Sequence, residues 1–239
     1  MLRLLALRGV PLTFRPAAVL LEGALVPDAY VLTVVLPTAA LALTVTSLPV
    51  HLDYFRADRH QPDYHALGRR YMAGFTLVTV LGIFLSMLVA APAHPTGIGP
   101  LLLVATASTY LNERFADEAS RALEFRKAFG LWFLVQVLRS CWPMVPVALY
   151  LAGVSYDVAF LAVSVLATLG MAESFRRITG LVPRLAPEGV AAIRENSVFL
   201  VGSLLSAGFR QGPRLLVARL FPEQAHLFPD RAAPRRGKG

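Results

Sequence analysis

Apolar residues gather into six stretches along this chain, with polar connections between them. The stretches are Tyr30–Val50, Tyr71–Ala91, Ile98–Asn112, Leu131–Leu151, Val158–Ser174 and Ser197–Phe221. A helix needs roughly 20 residues to cross the hydrocarbon core of a bilayer. The first, second and fourth stretches meet that length. The third and fifth are short and must borrow flanking residues, and the sixth is interrupted. The pattern predicts an all-α protein, a polytopic membrane helix bundle of about six transmembrane helices spanning residues 30–221. Hydroxyls recur at helical spacing inside the stretches: Thr76, Thr79 and Ser86 in one, Ser164 and Thr168 in another. Small polar groups so spaced predict helix–helix packing rather than a water-lined path.

The polar connections add orientation. The loop 51–70 carries Arg56, Arg59, Arg69 and Arg70; 113–128 carries Arg114, Arg121, Arg126 and Lys127; 173–196 carries Arg176, Arg177, Arg184 and Arg194. The alternate connections, 92–97 and 152–157, have no Lys or Arg. Basic loops stay on the cytoplasmic side. The three basic loops are therefore expected inside, with the first span running inward. Tyr30, Tyr71, Trp132 and Tyr150 fall near span ends, as an aromatic belt requires. Arg114–Glu118 and Asp117–Arg121 are i, i+4 pairs, which predict that the third span continues as an exposed, self-neutralised helix.

Composition agrees with a membrane protein. Of 239 residues, 56% are hydrophobic and 16% charged; soluble domains carry about a quarter charged residues. The net charge of +8 is spread over loops and no nucleic-acid motif is present, so a nucleic-acid partner is rejected. One cysteine, Cys141, excludes an internal disulfide. No cleavable signal peptide is read in the first 27 residues. Both ends break the charge pattern. Residues 1–29, with Arg3, Arg8, Arg15 and Glu22, would lie outside with no span before them; Ala17–Pro27 is too short and contains Glu22. A missing or eroded first helix would explain the start, and a continuation beyond Phe228 the end. Residues 222–239 read as a basic, disordered tail.

A few arginines fall inside the apolar stretches. A cation at the bilayer centre costs about 2.5–3.5 kcal/mol on insertion scales. Arg139 is eleven residues past Ala128, roughly 16 Å along a helix and near the midplane. Gln136, Arg139, Ser140 and Pro143 share one helical face, and Pro143 and Pro146 free carbonyls of the preceding turn and kink the helix. In the sixth stretch Arg210 and Arg214 flank Gly212-Pro213, a sequence that breaks or bends a helix at membrane depth, the pointer to a transporter binding site. The deep parts of the first, second and fifth spans hold no carboxylate to pair with these cations. Arg139, Arg210, Arg214 and Gln136 are therefore candidate ligands for an anionic lipid phosphate. The alternative is snorkelling to an interface, which is the reading taken for Arg219.

Other constellations offer less. His51, Asp53, Asp58, His60, Asp63 and His65 share a loop, but their spacing matches no metal-ligand motif. Glu113, Asp117 and Glu118 could act in catalysis, yet self-neutralisation along a cytoplasmic helix accounts for them. No Ser-His-Asp set, HExxH, P-loop or GxGxxG occurs, so no enzyme activity, metal or cofactor is expected.

Two segments carry a family resemblance. ERFADEASRALEFRKAFGLWFLVQVLRSCWPMVP, residues 113–146, resembles the third-to-fourth helix region of bacterial polysaccharide flippases, and RQGPRLLVARLFPEQAHLF, residues 210–228, resembles their seventh helix. These belong to the multidrug/oligosaccharidyl-lipid/polysaccharide exporter superfamily. The resemblance is diffuse and spans about residues 28–228. It implies two bundles of six helices around a cationic cavity in the bacterial inner membrane, moving undecaprenyl-diphosphate-linked glycans by alternating access. Arg139 and Arg210 occupy places where cavity arginines are expected. The implied partners are membrane lipids and a lipid-linked glycan. This chain matches only the N-terminal half, so it is truncated, pairs with a second half-transporter chain, or is inactive. A cation antiporter of the same superfamily would need an intramembrane carboxylate, which the clear spans lack. A membrane enzyme of glycan assembly would need acid or His residues at the outer face, where only His94 and Asp157 stand.

Overall fold

The computed structural model describes residues 2–26, 31–46, 54–57, 60–93, 99–195 and 197–221, the side chains of 2–12, 93, 200, 214 and 218 excepted. Most of the described residues are helical, with no strand among them. In chain order the helices are α1 (Leu2–Leu25), α2 (Val31–Val45), α3 (Tyr64–Ala93), α4 (Pro100–Phe125), α5 (Phe129–Cys141), α6 (Met144–Leu151), α7 (Tyr156–Thr179), α8 (Glu188–Glu195) and α9 (Ser197–Leu220).

Among the described residues each predicted stretch falls on helix, the fourth divided between α5 and α6. The ends follow local chemistry. Pro100 opens α4 behind Gly99, where a missing N–H costs nothing. Gly180, at φ +72°, closes α7 in the left-handed conformation a glycine adopts freely. Pro143 separates α5 from α6, which meet at a 45° bend, as the kink predicts. By length and composition α3 and α7 can cross a membrane; the total rises to four if α5–α6 and α8–α9 each form one bent span. α2 is an apolar helix of 15 residues, short of a full crossing.

Three findings bear on the expectations. First, the segment 1–29, read as too short for a span and as the place of a missing or eroded first helix, holds α1, 24 residues long. Its inner face is Arg15, Ala18 and Glu22, at i, i+3 and i+7. Glu22 is fully buried and its carboxylate accepts the Leu32 N–H at 3.1 and 3.0 Å. It thereby satisfies a donor in the first turn of α2 that the helix itself leaves unmet. Second, Gly212-Pro213 does not interrupt α9, which runs through both residues. Third, Tyr71 and Trp132 are not belt residues. Both belong to a buried core with Phe75, Met171 and Phe175, and Phe75 stacks on Phe175 at 5.2 Å.

The centre of the bundle is α4, packed against α2, α3, α5 and most extensively α7. It is buried nearly all round, although its second half is the most charged helical segment of the chain. Small residues make this approach feasible: Ala105, Thr106, Ser108, Thr109, Ala116, Ala119 and Ala122 are all buried. The two threonine hydroxyls are internally satisfied. Thr106 and Thr109 donate to carbonyls one turn back, each at 2.8 Å. Thr168 of α7 reaches across to the Ser108 carbonyl at 2.6 Å, whereas Thr76, Thr79, Ser86 and Ser164 donate to carbonyls of their own helices. Gly82 lets α3 close on α4: a Cβ there would meet the Tyr110 hydroxyl at 2.0 Å.

The outer surface is apolar. Leu81, Phe84 and Leu88 form an exposed stripe on α3 at i, i+3 and i+7; Leu131, Leu134 and Leu138 repeat the spacing on α5, and Leu166 and Leu169 continue it on α7. Exposed apolar stripes of this kind fit a bilayer or a protein partner.

Candidate functional site

The second half of α4 stays within the bundle as far as Leu123, and only Glu124 and Phe125 at its end are exposed. Glu113, Arg114 and Glu118 are buried to within a few per cent. Their spacing along the helix places Glu113 and Asp117 toward α1 and α5, and Arg114 and Glu118 toward α3. Helix α5 brings Arg139 to this face from one side and α1 brings Arg15 from the other. Both guanidiniums converge on one carboxylate. Arg139 donates from Nε to Glu113 Oε2 at 2.8 Å and pairs through Nη2 at 2.7 Å; Arg15 Nη2 donates to Glu113 Oε1.

Arg15 also donates to the Arg139 backbone carbonyl, at 3.3 Å. The reason lies four residues on. Residue 143 is a proline with no N–H, so the Arg139 carbonyl has lost its helical donor. Arg15 takes that place. The kink and the ion site are therefore one construction.

The network continues along α4. Arg139 Nη1 stands 3.9 Å from Asp117 Oδ1, and Arg121 Nη2 pairs with Asp117 Oδ2 at 2.7 Å. Arg121 lies 3.6 Å and Arg114 3.5 Å from Glu118 Oε1. Tyr71 of α3 donates to Glu118 Oε2 at 3.0 Å. The Arg114 guanidinium lies over the Phe75 ring, 5.0 Å from its centroid, a favourable cation–π placement. The predicted i, i+4 pairs are present, but inside the bundle. The ladder joins Arg15, Arg139, Arg121 and Arg114 to Glu113, Asp117 and Glu118, so one positive charge is in excess. Such charges are costly to bury and strongly destabilising when one partner is removed. The Arg15 and Arg139 side chains keep 30% and 15% of their surface open.

The sequence-predicted site is thus divided. Arg139 is buried as expected, but it is paired rather than free, and its carboxylates come from the segment read as a cytoplasmic loop. Arg114 and Arg121 accordingly leave the count of looped cations. Gln136 faces α4 with Arg139 and donates to Ser120 Oγ at 2.7 Å, which commits it to helix packing. Arg210 is exposed on α9, which packs chiefly on α2 with lesser contact to α3 and α8. It is not brought to Arg139, which stands between α1 and α4. The Arg214 side chain lies outside the described residues, as do Tyr30, the loop residues His51, Asp53 and Asp58, and the tail 222–239. The sequence reading missed Arg15, Glu113 and Asp117 as members of the site.

No protein-family model, no curated protein and no solved structure matches the chain.

Proposed function

We propose that this chain is a membrane transport protein resembling half of a polysaccharide flippase, a bundle of about six spans in the bacterial inner membrane that translocates an anionic lipid-diphosphate glycan without covalent chemistry. The observation that carries the reading is the Arg15–Glu113–Arg139 centre. Two guanidiniums on one carboxylate leave a positive surplus inside an apolar-surfaced bundle, and both remain partly open. A diphosphate accepts the bidentate bonds that arginine offers. Glu113 holds both cations charged and in position while the site is empty, and the α5–α6 kink at Pro143 gives the pair a joint to rock about. Arg210 becomes a lipid-facing or partner-facing residue rather than a ligand.

The test is genetic. Cells lacking the chain are complemented with wild type, R210A or R15Q/R139Q, each checked for its level in the membrane, and surface polysaccharide is measured. Wild type and R210A are expected to restore export, and R15Q/R139Q to lower it at least tenfold. Full export with R15Q/R139Q, or no defect in the deleted strain, would overturn the reading.

Ion-coupled antiport is a second reading with its own support, because buried carboxylates occur after all at Glu22, Glu113 and Glu118. Uptake or efflux that follows an imposed pH gradient and stops in E113Q would favour it over the flippase.

A further inference from the structure

A groove of about 310 Å³ lies at the start of α3, remote in sequence from the arginine pair. One wall is a face of α3: His65, Arg69 and Met72, spaced i, i+4 and i+7. The opposite wall is the segment after α7, with Leu181, Val182 and Arg184. Tyr54 and Tyr64 close the end, and the Tyr64 hydroxyl donates to that of Tyr54 at 3.0 Å. The walls are built rather than incidental. The Arg184 N–H donates to Thr76 Oγ1 of α3 at 2.9 Å, so the segment after Gly180 is pinned across the helix. Gly68 lies at the base, where a Cβ would press on the Tyr54 ring at 3.1 Å.

The charge of the groove is one-sided. Among the described residues, Arg69 and Arg184 line it beside His65, and no carboxylate does. The neighbouring Arg70 is engaged elsewhere, with Glu195. The rim is apolar: Val182 and Leu185, on either side of Arg184, are 66% and 72% exposed. A soluble anion explains the arginines but not that rim. A phospholipid explains both, with its phosphate on the guanidiniums and its glycerol and acyl carbons against Val182 and Leu185. Basic pockets between helices at a membrane surface bind anionic headgroups in this way.

We propose that this groove binds the phosphodiester headgroup of an anionic membrane phospholipid through Arg69 and Arg184. The site rests on the membrane reading of the chain and not on the transport reading. The test uses the full chain from carbonate-washed membranes, placed in nanodiscs of phosphatidylglycerol and phosphatidylcholine and examined for retained lipid by native mass spectrometry. Presence of the chain in the washed membranes checks the membrane reading by itself.

Wild type is expected to retain phosphatidylglycerol at least tenfold over phosphatidylcholine. R69A/R184A is expected to lose that preference. R177A/R194A removes the same charge from exposed positions outside the groove and is expected to keep it, as is R15Q/R139Q. Retention by R69A/R184A equal to wild type would overturn the proposal, as would an equal loss in R177A/R194A. Displacement of the lipid by glycerol phosphate at equal concentration would overturn the lipid assignment, since it would show a site for the soluble phosphate.

Discussion

Arg139 on α5 and Arg210 on α9 carry the same signature in sequence. Each lies in a long apolar run and is followed three or four residues on by a proline. Their surroundings are opposite. Around Arg139, α1 and α4 deliver a second arginine and two carboxylates, and the carbonyl freed by Pro143 is taken by Arg15. Around Arg210 the helix runs on through Pro213 with its side chain exposed, beside Phe209 at 83% exposure. The difference is in neighbours. α5 lies in the ring around α4, which brings acidic side chains into the core, whereas α9 lies at the edge against the apolar α2. An arginine in an apolar run is therefore read by the helix it packs against, not by its own run.

Substitutions can break or sharpen this contrast. The largest effect is expected at Glu113. E113Q removes the one charge that both Arg15 and Arg139 contact, and breaking a buried pair costs about 3–5 kcal/mol. Chemical unfolding of the chain in a defined bilayer would measure it, and a change near zero would mean that the pairs are not formed. Next is Y71F, which deletes the bond to the buried Glu118 at the far end of the ladder. Leaving that acceptor unsatisfied is expected to cost about 1–3 kcal/mol in the same assay. Q136A removes a single neutral bond to Ser120, worth about 1 kcal/mol. R210A touches nothing of this kind and is expected to stay within about 0.5 kcal/mol of wild type. A loss at Arg210 as large as at Glu113 would erase the distinction between the two regions.

Much of the fold was legible. Six apolar stretches mark six helical regions because helix length and hydropathy are local properties. The kink at Pro143 and the shared face of Gln136 and Arg139 follow from spacing alone. The i, i+4 pairs of α4 were also legible, and they misled. Charges that neutralise one another along a helix look content in water, yet the same pairing lets the helix be desolvated once other helices supply the remaining partners. Only Ala116, Ala119 and Ala122, small residues on the charged helix, hinted at close packing. α1 was hidden for a related reason: Arg15 and Glu22 break its apolar run, and both serve other helices. Their spacing with Ala18 and Val26, at three and four residues, was the available signal. The fate of Arg210 had no sequence signal, because it depends on which helix lies beside it.

The most direct test of the account is a double-mutant cycle between Glu113 and Arg139. Unfolding free energies would be measured for wild type, E113Q, R139Q and E113Q/R139Q in the same bilayer. The network predicts strong coupling: each single change destabilises, and the double change costs at least about 1–2 kcal/mol less than the two losses added. Losses that simply add would contradict it, because Glu113 and Arg139 would then not be partners.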